Sequence, residues 1–392
     1  MPRSLTRQEV SAFLGGLTAI ALGALPTAAA ETVVFDFGPF SRSVAVDDLT
    51  AYAEQGDETS DLAQFLSRLS PERQADLRQA LTAEREADVV ALSRWYYAPM
   101  GERTLQFVGR LFPTGARLNG QMALRAAIIS AAAEDGQTSA LDIMRHYPTE
   151  VLRVDLPLLI RSTREVIAEA DRALAVVEAV KQASQTAAAA NPLPDLSGRP
   201  DLIQPGPYSV QQQDLTLQDA ARGDRTYPAT LFWPQRVDPA REPWPVLVLS
   251  HGLGDTRSSF FDIARHVASH GFAVALPDHV GSNLDYRQAL FAGLTDEYFD
   301  ARDFLNRPLD ITFLLDELER LNATQYQGRL NLEQVAVAGH SFGEYTVLAL
   351  GGATIDFARL TERCDPNANI VIDAAMVLEC RALELQDDPA IV

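Results

Sequence analysis

The chain has 392 residues, enough for two domains and a sizeable core, and its 47% apolar and 22% charged shares are ordinary for a globular protein. Against 33 basic residues stand 53 acidic ones, a formal net charge of −20. Such a surface repels phosphate backbones and anionic headgroups, which argues against nucleic acid as a partner while leaving neutral or zwitterionic lipids open.

The first thirty residues do not read as fold. Arg3 and Arg7 give a positive start, Val10 to Leu25 is an apolar run, and Ala28-Ala29-Ala30 offers a small-residue cleavage site before Glu31. The run is short and glycine-containing for a spanning helix, so residues 1–30 are read as a signal peptide, with an uncleaved anchor as the other reading. No cysteine follows the run and no twin-arginine pair precedes it. The expected location is periplasmic or extracellular. Cys364 and Cys380 are the two cysteines. In an oxidising compartment they form either a short-loop disulfide or two unpaired thiols, and neither has a partner at metal-ligand spacing.

From Thr32 to about Arg42 a Phe- and Val-rich run broken by Gly38-Pro39 predicts a short strand or hairpin. Helical signals follow: Leu62, Phe65, Leu66 and Leu69 at helical spacing, a Ser70-Pro71-Glu72 start, and helices across Ala75–Leu92, Met122–Ala133 and Ser139–His146. A last long helix is expected from Ser162, capped through Glu165, with Val166, Ala170, Ala173, Val177 and Val180 on one face. Residues 31–183 are thus an α-rich N-terminal domain. Trp95-Tyr96-Tyr97 reads either as packing or as a lipid- or substrate-facing patch. Residues 184–206, alanine-rich and then proline-rich, read as a linker.

Past the linker, strands alternate with helices. Tyr208–Leu217 and Arg225–Trp233 are two strands joined at Gly223-Asp224, and Val246–Ser250 is a continuous apolar run suited to a strand buried on both faces. A helix carries Phe260, Ile263, Ala264 and Val267 on one face. Phe272–Leu276 is the next strand, and Pro308 opens a helix with Ile311, Leu314, Leu318 and Leu321 aligned. Residues 207–392 are therefore expected to form an α/β domain with a mostly parallel sheet.

Val335–Ala338 then runs into Gly339-His340-Ser341-Phe342-Gly343 and an apolar helix from Glu344 to Leu350. A Gly-x-Ser-x-Gly turn between strand and helix lifts a serine hydroxyl above the sheet, and side chains at Gly339 and Gly343 would collide with neighbouring backbone. Upstream, Ser250-His251-Gly252-Leu253-Gly254 leaves a central strand with glycines that let its amides turn towards a site. Ser341 is the candidate nucleophile, and the Leu253 and Phe342 amides are the candidate oxyanion donors.

These two motifs, with Gly271-Phe272 through Pro277-Asp278-His279, resemble the α/β-hydrolase superfamily, in the branch of the dienelactone hydrolases and platelet-activating-factor acetylhydrolases. The layout of signal peptide, α-rich domain and hydrolase is similar to a group of exported, largely cyanobacterial hydrolases. The resemblance implies a serine ester hydrolase acting through an acyl-enzyme, on carboxylic esters such as short-acyl lipids, with transient contact at a membrane surface and without cofactor or metal. It also implies the chain order serine, acid, histidine. The six histidines are His146, His251, His266, His270, His279 and His340, and none follows Ser341. His340 points away from the serine hydroxyl, His251 is structural, and His279 is a candidate for the mouth of the site. Asp373 is the tempting acid. About fifty residues follow Ser341, so the hydrolase domain is expected to be C-terminally incomplete, with little turnover as written. The alternative is an inactive pseudo-hydrolase or an exported binding module. Glu344 departs from the family pattern, which has glycine there, though an acid in the first turn suits the helix dipole.

Overall fold

The computed structural model describes residues 29–191, 201–235, 243–365 and 374–388. The signal-peptide reading of residues 1–30 falls almost wholly outside them, as does Asp373. Tertiary contacts divide the described chain into two units, residues 29–93 with 104–163 and residues 94–103 with 164–388.

The first unit opens with the expected hairpin, β1 (Thr32–Phe37) and β2 (Phe40–Ala45), antiparallel around Gly38 at φ +67°. Its helices are α1 (Val46–Gln55), α2 (Ser60–Leu66) and α3 (Pro71–Thr82), the last capped by the Ser70 hydroxyl on the Arg73 amide. The single helix expected over residues 75–92 is broken. Between α3 and α4 (Val89–Tyr97), β3 (Arg85–Glu86) pairs with β4 (Gln137–Thr138), and the Asp88 carboxylate caps α4 at the Val90 and Ala91 amides. Then come α5 (Pro99–Leu111), α6 (Gln121–Asp135) and α7 (Ala140–Arg145), which starts in a reciprocal Ser139–Asp142 capping box. Like the two-residue β3 and β4, β5 (Val151–Asp155) has no counterpart in the sequence reading; it adds parallel to β1. The long α8 (Leu156–Ala190) follows it directly, because the Asp155 carboxylate accepts from the Leu158 amide. Ser162 is therefore no cap but a buried residue nearly two turns inside the helix. Beyond Ala168 the helix is exposed on every side, and Val166, Ile167, Leu174, Val177 and Val180 face solvent.

The expected linker is in part helix: residues 184–190 end α8, residues 192–200 lie outside the described set, and residues 201–206 run along a helix of the second unit. The Leu202 and Gln204 carbonyls accept from His266 and His270 on that helix, which gives both histidines a clamping role.

A five-stranded sheet forms the second unit, in the order β10-β8-β9-β7-β6. Its strands are β6 (Val210–Asp219), β7 (Arg225–Pro234), β8 (Trp244–Ser250), β9 (Ala273–Pro277) and β10 (Leu330–Gly339). The β9, β8 and β10 strands run parallel, whereas β7 is antiparallel to both of its neighbours. The β6–β7 reversal follows from the tight Gly223-Asp224 connection, both residues at positive φ. Helices α9 (Phe261–Ser269), α10 (Leu284–Ala292) and α11 (Asp303–Thr324) supply the crossovers, and α12 (Phe342–Leu350) follows β10. Apolar side chains of the central strands pack on Ile311, Leu314, Leu318 and Leu321 of α11. In α9, Ala264 and Ala268 are buried while Ile263 faces solvent, against expectation. Two short helices, α13 (Phe357–Arg363) and α14 (Ala374–Glu379), are tied by a disulfide between Cys364 and Cys380, which closes the choice the sequence left open.

Pro308 lies inside α11 and does not open it; the helix begins at Asp303. A proline leaves the carbonyl four residues back without its helical donor. Here that carbonyl belongs to Phe304, and the Tyr345 hydroxyl of α12 donates to it at 2.9 Å.

Candidate active site

The chain turns at the C-terminal ends of β10 and β8, where a parallel sheet opens to solvent. Ser341 stands there at φ +55° and ψ −116° and is exposed. A non-glycine residue in this region carries strain of about 1–3 kcal/mol. Serine at a helix start ordinarily caps the following amides, yet the Ser341 hydroxyl makes no cap bond. The tightness of the turn sets its neighbours: a Cβ at Gly339 would strike the Gly343 carbonyl group, and one at Gly343 would strike the Ser250 carbonyl oxygen.

The second loop reaches the same point. His340 donates its amide to the Ser250 carbonyl, and β8 pairs with β10 up to Ser250 and Gly339. A Cβ at Gly252 would stand 3.4 Å from Ser341 Cβ and 3.1 Å from His340 Nδ1, so the loop lies directly against the turn. The Leu253 side chain packs with Phe342 in an aromatic cluster completed by Met100, Phe299, Phe304 and Tyr345. Trp95 meets Tyr298 edge-on in the same cluster, which gives the first residue of the Trp95-Tyr96-Tyr97 trio a packing role. Glu344 is exposed in the first turn of α12, and its amide is bonded to the Ser341 carbonyl.

Behind this surface lies a set of buried polar groups that the sequence reading did not anticipate. His279 does not line a mouth; it is fully buried, as are Ser250 and Asp310. Its Nδ1 is 3.1 Å from Asp310 Oδ2 and its Nε2 is 3.0 Å from Ser250 Oγ. Because a carboxylate only accepts, Nδ1 carries the proton and Nε2 accepts from the Ser250 hydroxyl. These are the atom types of a catalytic triad, but the set is sealed from any ester and fixes the end of β8. Burial, with Arg307 nearby, pushes His279 down to about 3, so the ring is neutral. Asp310 is held down at about 2 against the cost of burial, by hydrogen bonds from His279 and Arg225. Asp303, equally buried, is pushed up to about 7.

His251 is buried beside them. Its Nε2 accepts from the His279 amide at 2.9 Å, so its Nδ1 carries the proton and donates to the Gly252 carbonyl at 2.8 Å. The remaining histidines lie elsewhere: His146 caps α7 through the Asp142 carbonyl, His266 and His270 hold residues 202–204, and the His340 ring sits beside Gly252. Among the described residues, then, the structure brings together Ser341, Gly339, His340, Phe342, Gly343, Gly252 and Leu253, and no histidine is hydrogen bonded to Ser341.

Comparison with known proteins bears on this geometry. Residues 208–284 match the family profile described as platelet-activating factor acetylhydrolase, isoform II, and residues 29–155 match one described as alpha/beta hydrolase of unknown function (DUF1400). The chain has an α/β fold and, over these stretches, is similar to α/β-hydrolases of the platelet-activating-factor acetylhydrolase-like branch. A platelet-activating factor acetylhydrolase from Canis lupus familiaris is 32% identical over a match covering 32% of this chain and 35% of that protein. The chain thus spans about a third of the length of the curated relative it matches. Among solved structures, a ferulic acid esterase from Streptomyces cinnamoneus aligns at 22% identity and a TM-score of 0.31, covering 38% of this chain and 58% of that one.

Proposed function

We propose that the chain is a serine ester hydrolase in which the Ser341 hydroxyl attacks a carboxylic ester carbonyl to form an acyl-enzyme. The Leu253 and Phe342 amides receive the oxyanion. The supporting observation is the state of Ser341: strained, exposed, free of its cap bond, and backed by a glycine loop with no side chain between them. The names of the relatives support ester cleavage as the reaction class. Short-acyl lipids are the proposed substrates, in line with an acidic surface that favours neutral or zwitterionic esters over anionic ones. Export, with contact at a membrane surface, belongs to the same reading.

One observation favours a second reading, an inactive binding module. Every described histidine other than His340 has a hydrogen-bond partner away from Ser341. A fluorophosphonate probe separates the two. Covalent labelling mapped to Ser341 and lost in Ser341→Ala is the expected result. A protein that melts cooperatively yet takes no label overturns the hydrolase reading.

A further inference from the structure

Arg307 is a fully buried cation on α11, and its donors go to the loop beside Ser341. Nη1 donates to the His251 carbonyl at 2.9 Å, and Nη2 lies 3.4 Å from the Gly252 carbonyl. Nε donates to Ser282 Oγ at 2.8 Å, and the Ser282 carbonyl in turn accepts from the Gly254 amide. On its other side Nη1 reaches Thr346 Oγ1 of α12 at 3.5 Å, while the guanidinium carbon sits 4.4 Å from the centre of the Phe342 ring. Buried arginines ordinarily pair with a carboxylate. Among the described residues no carboxylate forms an ion pair with Arg307; Asp278, Asp303 and Asp310 act on it only through space. Burial lowers the group to about 10, so it stays charged at neutral pH.

We propose that Arg307 is the positioning residue for both oxyanion donors, an inference that rests on the reading of Ser341 as nucleophile. In a trans peptide the C=O and the next N–H point in opposite directions. The Gly252 carbonyl is held towards the core by Arg307 Nη2, by His251 Nδ1 and by the Asp255 amide. The Leu253 N–H of the same peptide is thereby turned outwards, to the side on which Ser341 stands. A cation at the oxygen end of a peptide also polarises it and strengthens the donor at the nitrogen end. The second donor is the Phe342 amide, whose own ring lies over the same guanidinium. One side chain therefore sets the aim of two amides that come from separate loops.

The test compares wild type with Arg307→Lys and Arg307→Met in fluorophosphonate labelling, resolved into binding and inactivation steps, alongside thermal melts and a crystal structure of each variant. Loss of one aimed donor costs about 10²–10³-fold in the chemical step. The inactivation rate constant is expected to fall by about that factor with the probe's binding constant unchanged. Lysine should not restore it, because a point-charge ammonium cannot reproduce the fork. The crystal structures should show the Gly252–Leu253 peptide rotated. Should the single variants not fold, Arg307→Met with Asp303→Asn removes the cation together with a facing carboxylate. Folded variants that label at the wild-type rate, with the Gly252 carbonyl still directed inwards, overturn the proposal and leave Ser341 as nucleophile. A folded wild type that takes no label removes the hydrolase reading itself, and this inference with it.

Discussion

The two units use charge in contrasting ways. In the first, Asp36 on β1 accepts from Arg153 on β5 and from Ser41, and an exposed Arg117 lies over the pair. The Arg153 bonds hold the carboxyl below its ordinary range. In the second, Arg307, Asp303, Asp310 and His279 are fully buried, and a half-buried Arg225 reaches in to pair with Asp310 and Asp303. Asp36 is itself little exposed, but Arg117 beside it is open to water, so solvent replaces a partner lost there, whereas a sealed group left without one keeps its full desolvation cost. The first assembly fastens two strands; the second fixes the ends of the strands from which the Ser341 site is built.

That contrast can be broken by substitution. Asp310→Ala strips the acceptor from Arg225 and His279 and should cost the second unit about 3–5 kcal/mol, read by denaturant unfolding. Breaking the Cys364–Cys380 link with Cys380→Ser offers a covalent yardstick; for a loop of 16 residues the chain-entropy estimate is about 3 kcal/mol. Asp36→Asn should cost about 1 kcal/mol, and less in high salt. An Asp36 effect as large as that of Asp310 would erase the distinction between the two assemblies.

Titration sharpens the same comparison. His279 is held far below its unfolded value of about 6.5, down to about 3. The unfolded chain then binds the extra proton, so this contribution is complete above pH ~6.5 and drains as pH falls towards 3. Asp303 works in the opposite sense. Its folded value of about 7 exceeds the unfolded ~3.9, so stability present at low pH is lost as pH rises between the two. Asp303→Asn should therefore stabilise the protein more at pH 8 than at pH 4 when melts are compared at both. Asp36, shifted down, contributes above the ordinary carboxylate range and loses that contribution in acid.

Much of the second unit was legible because buried parallel strands announce themselves. Val246–Leu249 and Ala273–Leu276 are unbroken apolar runs, and Gly339–Gly343 has few other uses between a strand and a helix. The buried polar groups were not legible. Arg307 stands one residue before a proline, a natural place to read a helix start, and charge in a sequence gives no sign of burial. Asp278-His279 just after a strand looks like a mouth; only the packing of Asp310 shows that it points inwards. In the first unit β5 escaped notice since its five residues are stabilised by β1, more than a hundred positions earlier. Ser162 fits a capping pattern that is only local, and the helix is capped about two turns earlier, where the Asp155 carboxylate accepts from the Leu158 amide.

The proline inside α11 has a consequence for how this chain can change. By freeing the Phe304 carbonyl it creates an acceptor that Tyr345 fills, so the helix that carries Arg307 and the helix that follows Ser341 share a bond with two owners. Neither position is independent of the other. Pro308→Ala would return the carbonyl to its own helix and leave a half-buried phenol without this partner, while Tyr345→Phe would leave the carbonyl without one. Each change alone should therefore be harmful, and the two together should cost less than their sum in a double-mutant cycle.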